Sequence, residues 1–164
     1  MSRLSIFGFL RSFALIAAIT FFSAMPAVAS ETGFRFVDIH GENIDFQDYQ
    51  GKWVVVNYWA TWCPPCLEEI PELVHFHEEH KSNDAVVIGF NMEDHPPKRL
   101  SQFVEENMMT YPVIPMSEKM ELVGAIQGLP TTYLLDPTGK PVAMQVGEVT
   151  AEMLEDYINN YEVQ

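Results

Sequence analysis

The stretch Trp53-Val54-Val55-Val56-Asn57-Tyr58-Trp59-Ala60-Thr61-Trp62-Cys63-Pro64-Pro65-Cys66 runs an apolar segment directly into a cysteine pair. From Trp53 to Trp59 the residues are aromatic or β-branched with no polar alternation before Asn57. That pattern suits a strand buried on both faces, as in a parallel sheet covered by helices. Beyond it, Cys66, Ile70, Leu73 and Val74 recur at helical spacing, with Glu68, Glu69, Glu72, Glu78 and Glu79 between and after them, which predicts a helix from Pro65 to His80. Pro65 suits a first helical turn, where no amide hydrogen is needed, whereas Pro71 lies inside and predicts a kink.

Outward from this unit the same reading continues. Ala85-Val86-Val87-Ile88-Gly89-Phe90 is a second buried strand, Arg99 to Met108 a second helix and Glu118 to Ile126 a short third one. Thr131 to Leu135, the turn Asp136-Pro137-Thr138-Gly139-Lys140 and Pro141 to Val146 form a hairpin signal, followed by an amphipathic helix from Thr150 to Tyr161. Phe34 to Ile39 alternates as a half-buried strand does and, with the His40-Gly41-Glu42-Asn43 turn, predicts a small N-terminal hairpin. Pro96-Pro97 and Pro112 to Pro115 read as connecting loops. The order is that of an α/β domain with parallel units first, then an antiparallel hairpin and a covering helix.

The first 29 residues read as a secretory signal peptide: Arg3 and Arg11, no acidic residue, an apolar core from Phe13 to Phe22, and Ala27-Val28-Ala29 before Ser30. Cleavage after Ala29 is the expectation, with a retained N-terminal membrane anchor as the alternative. Residues 30–164 would then form one domain, in the periplasm or otherwise outside the cytoplasm. That remainder holds seven basic and 23 acidic side chains, a formal net charge of −16. Such a balance disfavours nucleic acid and anionic lipid surfaces as partners.

Both cysteines of the chain lie in one Cys-x-x-Cys at a strand-to-helix junction. A helix N-terminus offers free amide hydrogens and the positive end of a dipole, which favour thiolate over thiol; cysteines so placed have pKa values of roughly 3.5–7.5. Cys63, expected at the exposed edge, is the attacking thiol, and Cys66, one turn further in, the resolving one. A structural staple is the competing reading, but so short a loop gains little from closure. A structural zinc site needs four ligands, and there is no second cysteine pair. No metal or small-molecule cofactor is expected.

Trp59-Ala60-Thr61-Trp62-Cys63-Pro64-Pro65-Cys66, with Gly128-Leu129-Pro130-Thr131-Thr132 and the Asp136 to Lys140 turn, resembles the TlpA/ResA-like branch of the thioredoxin superfamily. The resemblance implies a thioredoxin-like fold, a central mixed sheet flanked by helices with the N-terminal hairpin as an extension. It further implies a cis Leu129-Pro130 bond facing the cysteines, and a substrate chain docked against Leu129, Pro130 and Trp62. Cytoplasmic thioredoxin has a buried aspartate where this chain has Asn57, which cannot titrate. Glu69 instead matches an acidic residue of the TlpA/ResA branch, and is expected to handle the proton of Cys66 with a pKa raised by partial burial. The implied function is a protein-disulfide reductase supplied by a membrane electron donor of thiol-disulfide type, for example in cytochrome c maturation, with disulfide-containing proteins as substrates.

Other features point elsewhere. His75, His77 and His80 share one helix, and metal binding competes there with packing at the helix edge. Met108, Met109, Met116 and Met120 suit soft copper(I) ligation or flexible core filling. A copper(I)-delivery module and a thiol peroxidase of the same fold are the alternative functions. The peroxidase motif Thr-x-x-Cys is not matched, since Thr61 stands two residues before Cys63.

Overall fold

The computed structural model describes residues 35–94, 96–116 and 123–161, all within the compact unit Thr32–Gln164. The leader reading for residues 1–29, Phe34 and Met120 lie outside the described residues. β1 (Arg35–Val37) and β2 (Asn43–Asp45) pair antiparallel as the expected hairpin, and a 3-10 turn follows at Phe46–Tyr49. Next come β3 (Trp53–Trp59), α1 (Pro64–His80), β4 (Ala85–Asn91), α2 (Pro97–Glu106) and β5 (Val113–Pro115). β6 (Thr131–Leu135), β7 (Pro141–Val146) and α3 (Ala151–Asn160) complete the order among the described residues. One five-stranded mixed sheet has the order β5-β4-β3-β6-β7, with β3, β4 and β5 parallel and β6 and β7 antiparallel. Gly139, at φ 84° in the β6–β7 turn, takes the left-handed conformation that glycine adopts at least cost.

β3 is buried along its whole length, and its alternation sorts side chains between two cores. Trp53, Val55 and Trp59 join Ile70, Leu73 and Phe76 of α1, Leu100 and Val104 of α2, and Leu154 of α3. Val54, Val56 and Tyr58 face the other way, where Phe36, Ile44 and Phe46 of the N-terminal hairpin region and Val123 and Ile126 cover the sheet. Asn57 has the parity of the first set, so its amide is directed at α1.

Several expectations need correction. Val113–Pro115 is a strand, not a loop: it adds to the sheet edge beside Gly89 to Asn91, where proline's missing N–H can face outward. Pro96 and Pro97 are the N-cap and first residue of α2, a position where proline needs no amide hydrogen. A third concerns Glu118 to Ile126: most of it lies outside the described residues, and Val123–Ile126 are bend and coil instead of helix. Pro71 does not interrupt α1, which runs through it to His80. The methionines are not core filling as a group, since Met109 is buried but Met108 and Met116 are exposed.

Candidate active site

Cys63 is the N-cap of α1, with Pro64 and Pro65 as its first two residues. Neither proline has an amide hydrogen, and the Leu67 N–H is donated to the Cys63 carbonyl at 3.2 Å. The Cys66 N–H, at the third helical position from which an N-cap side chain ordinarily accepts, is therefore the amide in place to meet a Cys63 thiolate. The two sulfurs form a disulfide with Cα atoms 5.2 Å apart. Cys63 is the more accessible of the pair but is only 3% exposed, not at an open edge as expected, because in the disulfide it packs with Cys66 in the core cluster around Trp59 and Ala60. Trp62 beside it is 68% exposed.

The Leu129-Pro130 peptide is cis. The β3–β6 register pairs Tyr58 with Thr131, which puts Pro130 level with Trp59 and next to the loop leading to Cys63. Leu129 packs against the cluster that holds both cysteines. Trp62, Leu129 and Pro130 are thus all drawn to the end of β3 from which the cysteine loop departs.

Glu69, one turn beyond Cys66 on α1, is 1% exposed, deeper than the partial burial expected of it. Its Oε1 accepts from Asn57 Nδ2 at 2.7 Å and its Oε2 from the Val149 N–H at 3.0 Å. Asn57 Nδ2 also donates to Thr132 Oγ1 at 3.0 Å. Burial raises the Glu69 pKa from 4.5 to about 7, against the opposing pull of the Asn57 and Val149 hydrogen bonds, with the Glu148 charge adding to the rise. A carboxyl so poised exchanges its proton near neutral pH.

A residue not singled out from the sequence also holds the site. Glu93, just past β4, accepts hydrogen bonds from the Thr61 N–H and, at 3.0 Å, from the Thr61 hydroxyl, while Asn91 Nδ2 donates to it at 3.1 Å. This clamp fixes the loop between β3 and Cys63. Glu93 and Thr61 are 32 residues apart, so no local pattern signals the contact. The three histidines separate: His75 is exposed, His77 is buried against β4, and His80 turns toward Asp84 and α3.

Residues 25–144 match the AhpC/TSA family. The chain is 31% identical to the thiol-disulfide oxidoreductase ResA of Halalkalibacterium halodurans over 80% of its own length and 76% of the relative's. Among solved structures it is similar to a DsbF homologue from Corynebacterium diphtheriae, at 32% identity and a TM-score of 0.70, covering 79% of this chain and 84% of that one. A secreted thiol-disulfide isomerase from Corynebacterium glutamicum matches at 29% identity and a TM-score of 0.67, covering 76% and 80% of the two chains.

Proposed function

We propose that this chain, which belongs to the AhpC/TSA family of thioredoxin-like proteins and is a thiol-disulfide oxidoreductase, works outside the cytoplasm as a protein-disulfide reductase. The Cys63 thiolate, favoured by the N-terminus of α1, attacks one sulfur of a substrate disulfide and expels the other as a thiolate, leaving a mixed disulfide. Glu69 accepts the proton of the Cys66 thiol, and the Cys66 thiolate attacks Cys63 Sγ, releasing the second substrate sulfur. Two electrons pass to the substrate and the Cys63-Cys66 disulfide is restored. A membrane donor of thiol-disulfide type supplies the electrons for the next turn, and thiols awaiting haem in cytochrome c maturation are one fitting substrate class. Trp62, Leu129 and Pro130 form the wall on which the extended substrate chain lies.

One observation carries this reading: a buried carboxyl with its pKa brought to about 7 stands one helical turn from the resolving cysteine. Residues 1–29 act as a cleaved signal peptide and residues 30–164 as the working domain. The likeness to a secreted isomerase supports that location. Among the described residues no helix is long and apolar enough to cross a membrane.

The deciding measurement is a redox titration of the Cys63-Cys66 pair in glutathione buffers. A potential well below about −200 mV is expected, whereas one near −120 mV would make the protein an oxidant and overturn the reductase reading. Peroxide turnover without a thiol partner, or stoichiometric copper(I) uptake without insulin reduction, would also overturn it. N-terminal sequencing of protein recovered from the extracytoplasmic fraction should begin at Ser30.

A further inference from the structure

At the far end of α1, away from the cysteines, three carboxylates surround one imidazole. His80 Nδ1–H donates to Asp84 Oδ1 at 2.9 Å, and the ring stacks on Phe76 with centroids 4.5 Å apart. Its other nitrogen, Nε2, points toward α3, where Glu155 Oε1 lies 3.6 Å away. Glu79 completes the group: one ligating atom each from Glu79, His80 and Glu155 lies within 4.8 Å of the others. His75, a turn earlier, has Nε2 at 3.8 Å from Glu79 Oε1.

We propose that Glu79, His80 and Glu155 form a binding site for a divalent transition-metal ion of the zinc type, with His80 Nε2 as its nitrogen ligand and Asp84 as the residue that orients the ring. Metal-bound histidine characteristically donates its second ring N–H to a carboxylate, which fixes the tautomer and leaves the first nitrogen's lone pair facing the ion. The Asp84–His80 bond supplies that arrangement, and stacking on Phe76 holds the ring plane. An imidazole with two carboxylates suits zinc, nickel or copper(II), whereas calcium and magnesium take oxygen ligands. In a tetrahedral zinc site ligand atoms stand roughly 3.4 Å apart, so Glu79 and Glu155, both on the surface, need only rotate inward by about an ångström. Water fills the remaining position. The chain's formal charge of −14 and the triple carboxylate cluster favour a cation there. The ion would tie the end of α1 to α3, the same two helices that Glu72 joins by accepting the Ala151 N–H at 3.1 Å.

The test titrates zinc into purified protein kept in its disulfide form, so that no thiolate competes for the metal, against a chromophoric chelator. One zinc per chain is expected, with affinity lost at least tenfold in His80→Ala and in Glu155→Gln, and about tenfold in Asp84→Asn. Imidazole resonances of the unsubstituted protein should move on zinc addition for His80 and stay fixed for His77, a readout that needs no variant. Absence of saturable binding, or binding that survives both substitutions, would show that His80 is an ion-paired imidazole between Asp84 and Glu155 and nothing more. Full displacement of zinc by equimolar calcium would likewise overturn the site by reducing it to an acidic patch. Insulin reduction is read in parallel and should not change with zinc-site variants, which separates this proposal from the redox one.

Discussion

Glu69 and His77 sit on the same face of one helix, both are nearly sealed from solvent, and each accepts a backbone N–H from outside that helix. Glu69 takes the Val149 N–H, and His77 Nδ1 takes the Val87 N–H of β4 at 3.1 Å. In both cases burial favours the neutral form, but the consequences diverge. For the acid, neutrality is the protonated state, and its pKa rises to about 7. For the base, neutrality is the unprotonated state; burial, helped by the Lys81 charge, lowers its pKa to about 4. The same desolvation thus brings one group into the working pH range and drives the other out of it. Glu69 is left able to trade protons beside Cys66, and His77 becomes a fixed acceptor. Its task is visible in the sheet: β5 reaches only as far as the Gly89 N–H, which bonds the Pro112 carbonyl, and the Val87 N–H two residues earlier would have no strand to meet.

The opposite fates of Glu69 and His77 should show most strongly in the pH dependence of stability. Between its ordinary pKa of 4.5 and its folded value of about 7, Glu69 binds a proton more tightly in the folded state, so its contribution falls as pH rises, by roughly 3 kcal/mol in all. His77 runs opposite: folded protein refuses the proton that unfolded chain accepts between pH 6.5 and about 4, so stability is lost as pH falls through that window by a similar amount. The two slopes should nearly cancel between pH 4.5 and 6.5. Denaturant unfolding across that range should therefore be nearly flat for the natural protein, should fall with rising pH in His77→Leu, and should rise in Glu69→Gln. Parallel curves in all three proteins would refute the assignment.

Kinetics give the next largest effect. Glu69→Gln should slow resolution of the mixed disulfide about a hundredfold near neutral pH and remove the inflection near pH 7, as expected for loss of a general base. Rapid-quench single turnovers from pH 6 to 9 would record both. His77→Leu should leave that rate alone and instead cost about 2 kcal/mol at pH 7.5, because the Val87 N–H is left buried without an acceptor. His77→Asn, which keeps an acceptor, should recover part of the loss in urea melts. The smallest effect is expected at Glu93: Glu93→Gln should loosen the Thr61 clamp and shift the dithiol–disulfide equilibrium with glutathione about tenfold, with little change in Tm.

Much of this was readable along the chain. β3, the β6–β7 hairpin and the long helix after Cys63 each carry a pattern that neighbouring residues complete among themselves. β5 was not readable, because Val113 and Ile114 alone between Pro112 and Pro115 show no period, and only the open edge of β4 makes Val113–Pro115 a strand. His77 looked like helix-edge packing for the same reason: its role depends on where β5 stops. Glu93 carries no local signal, because its partner Thr61 is brought to it only by the parallel pairing of β3 and β4.

The placement of the cysteine pair follows from local chain pattern. Adjacent placement of a buried strand, Cys63-Pro64-Pro65-Cys66 and an amphipathic helix suffices to set a cysteine on a helix N-terminus, since backbone dipoles and free amides are local properties. How deep Glu69 lies and what it touches follow only from the packing of distant parts of the chain. Asn57 and Val149 are 12 and 80 residues from it, and the desolvation that moves its pKa comes from elements distant in sequence that close over it. Charge burial is a property of the assembled fold, which is why Glu69 could be named from its position but its pKa could be read only from its surroundings.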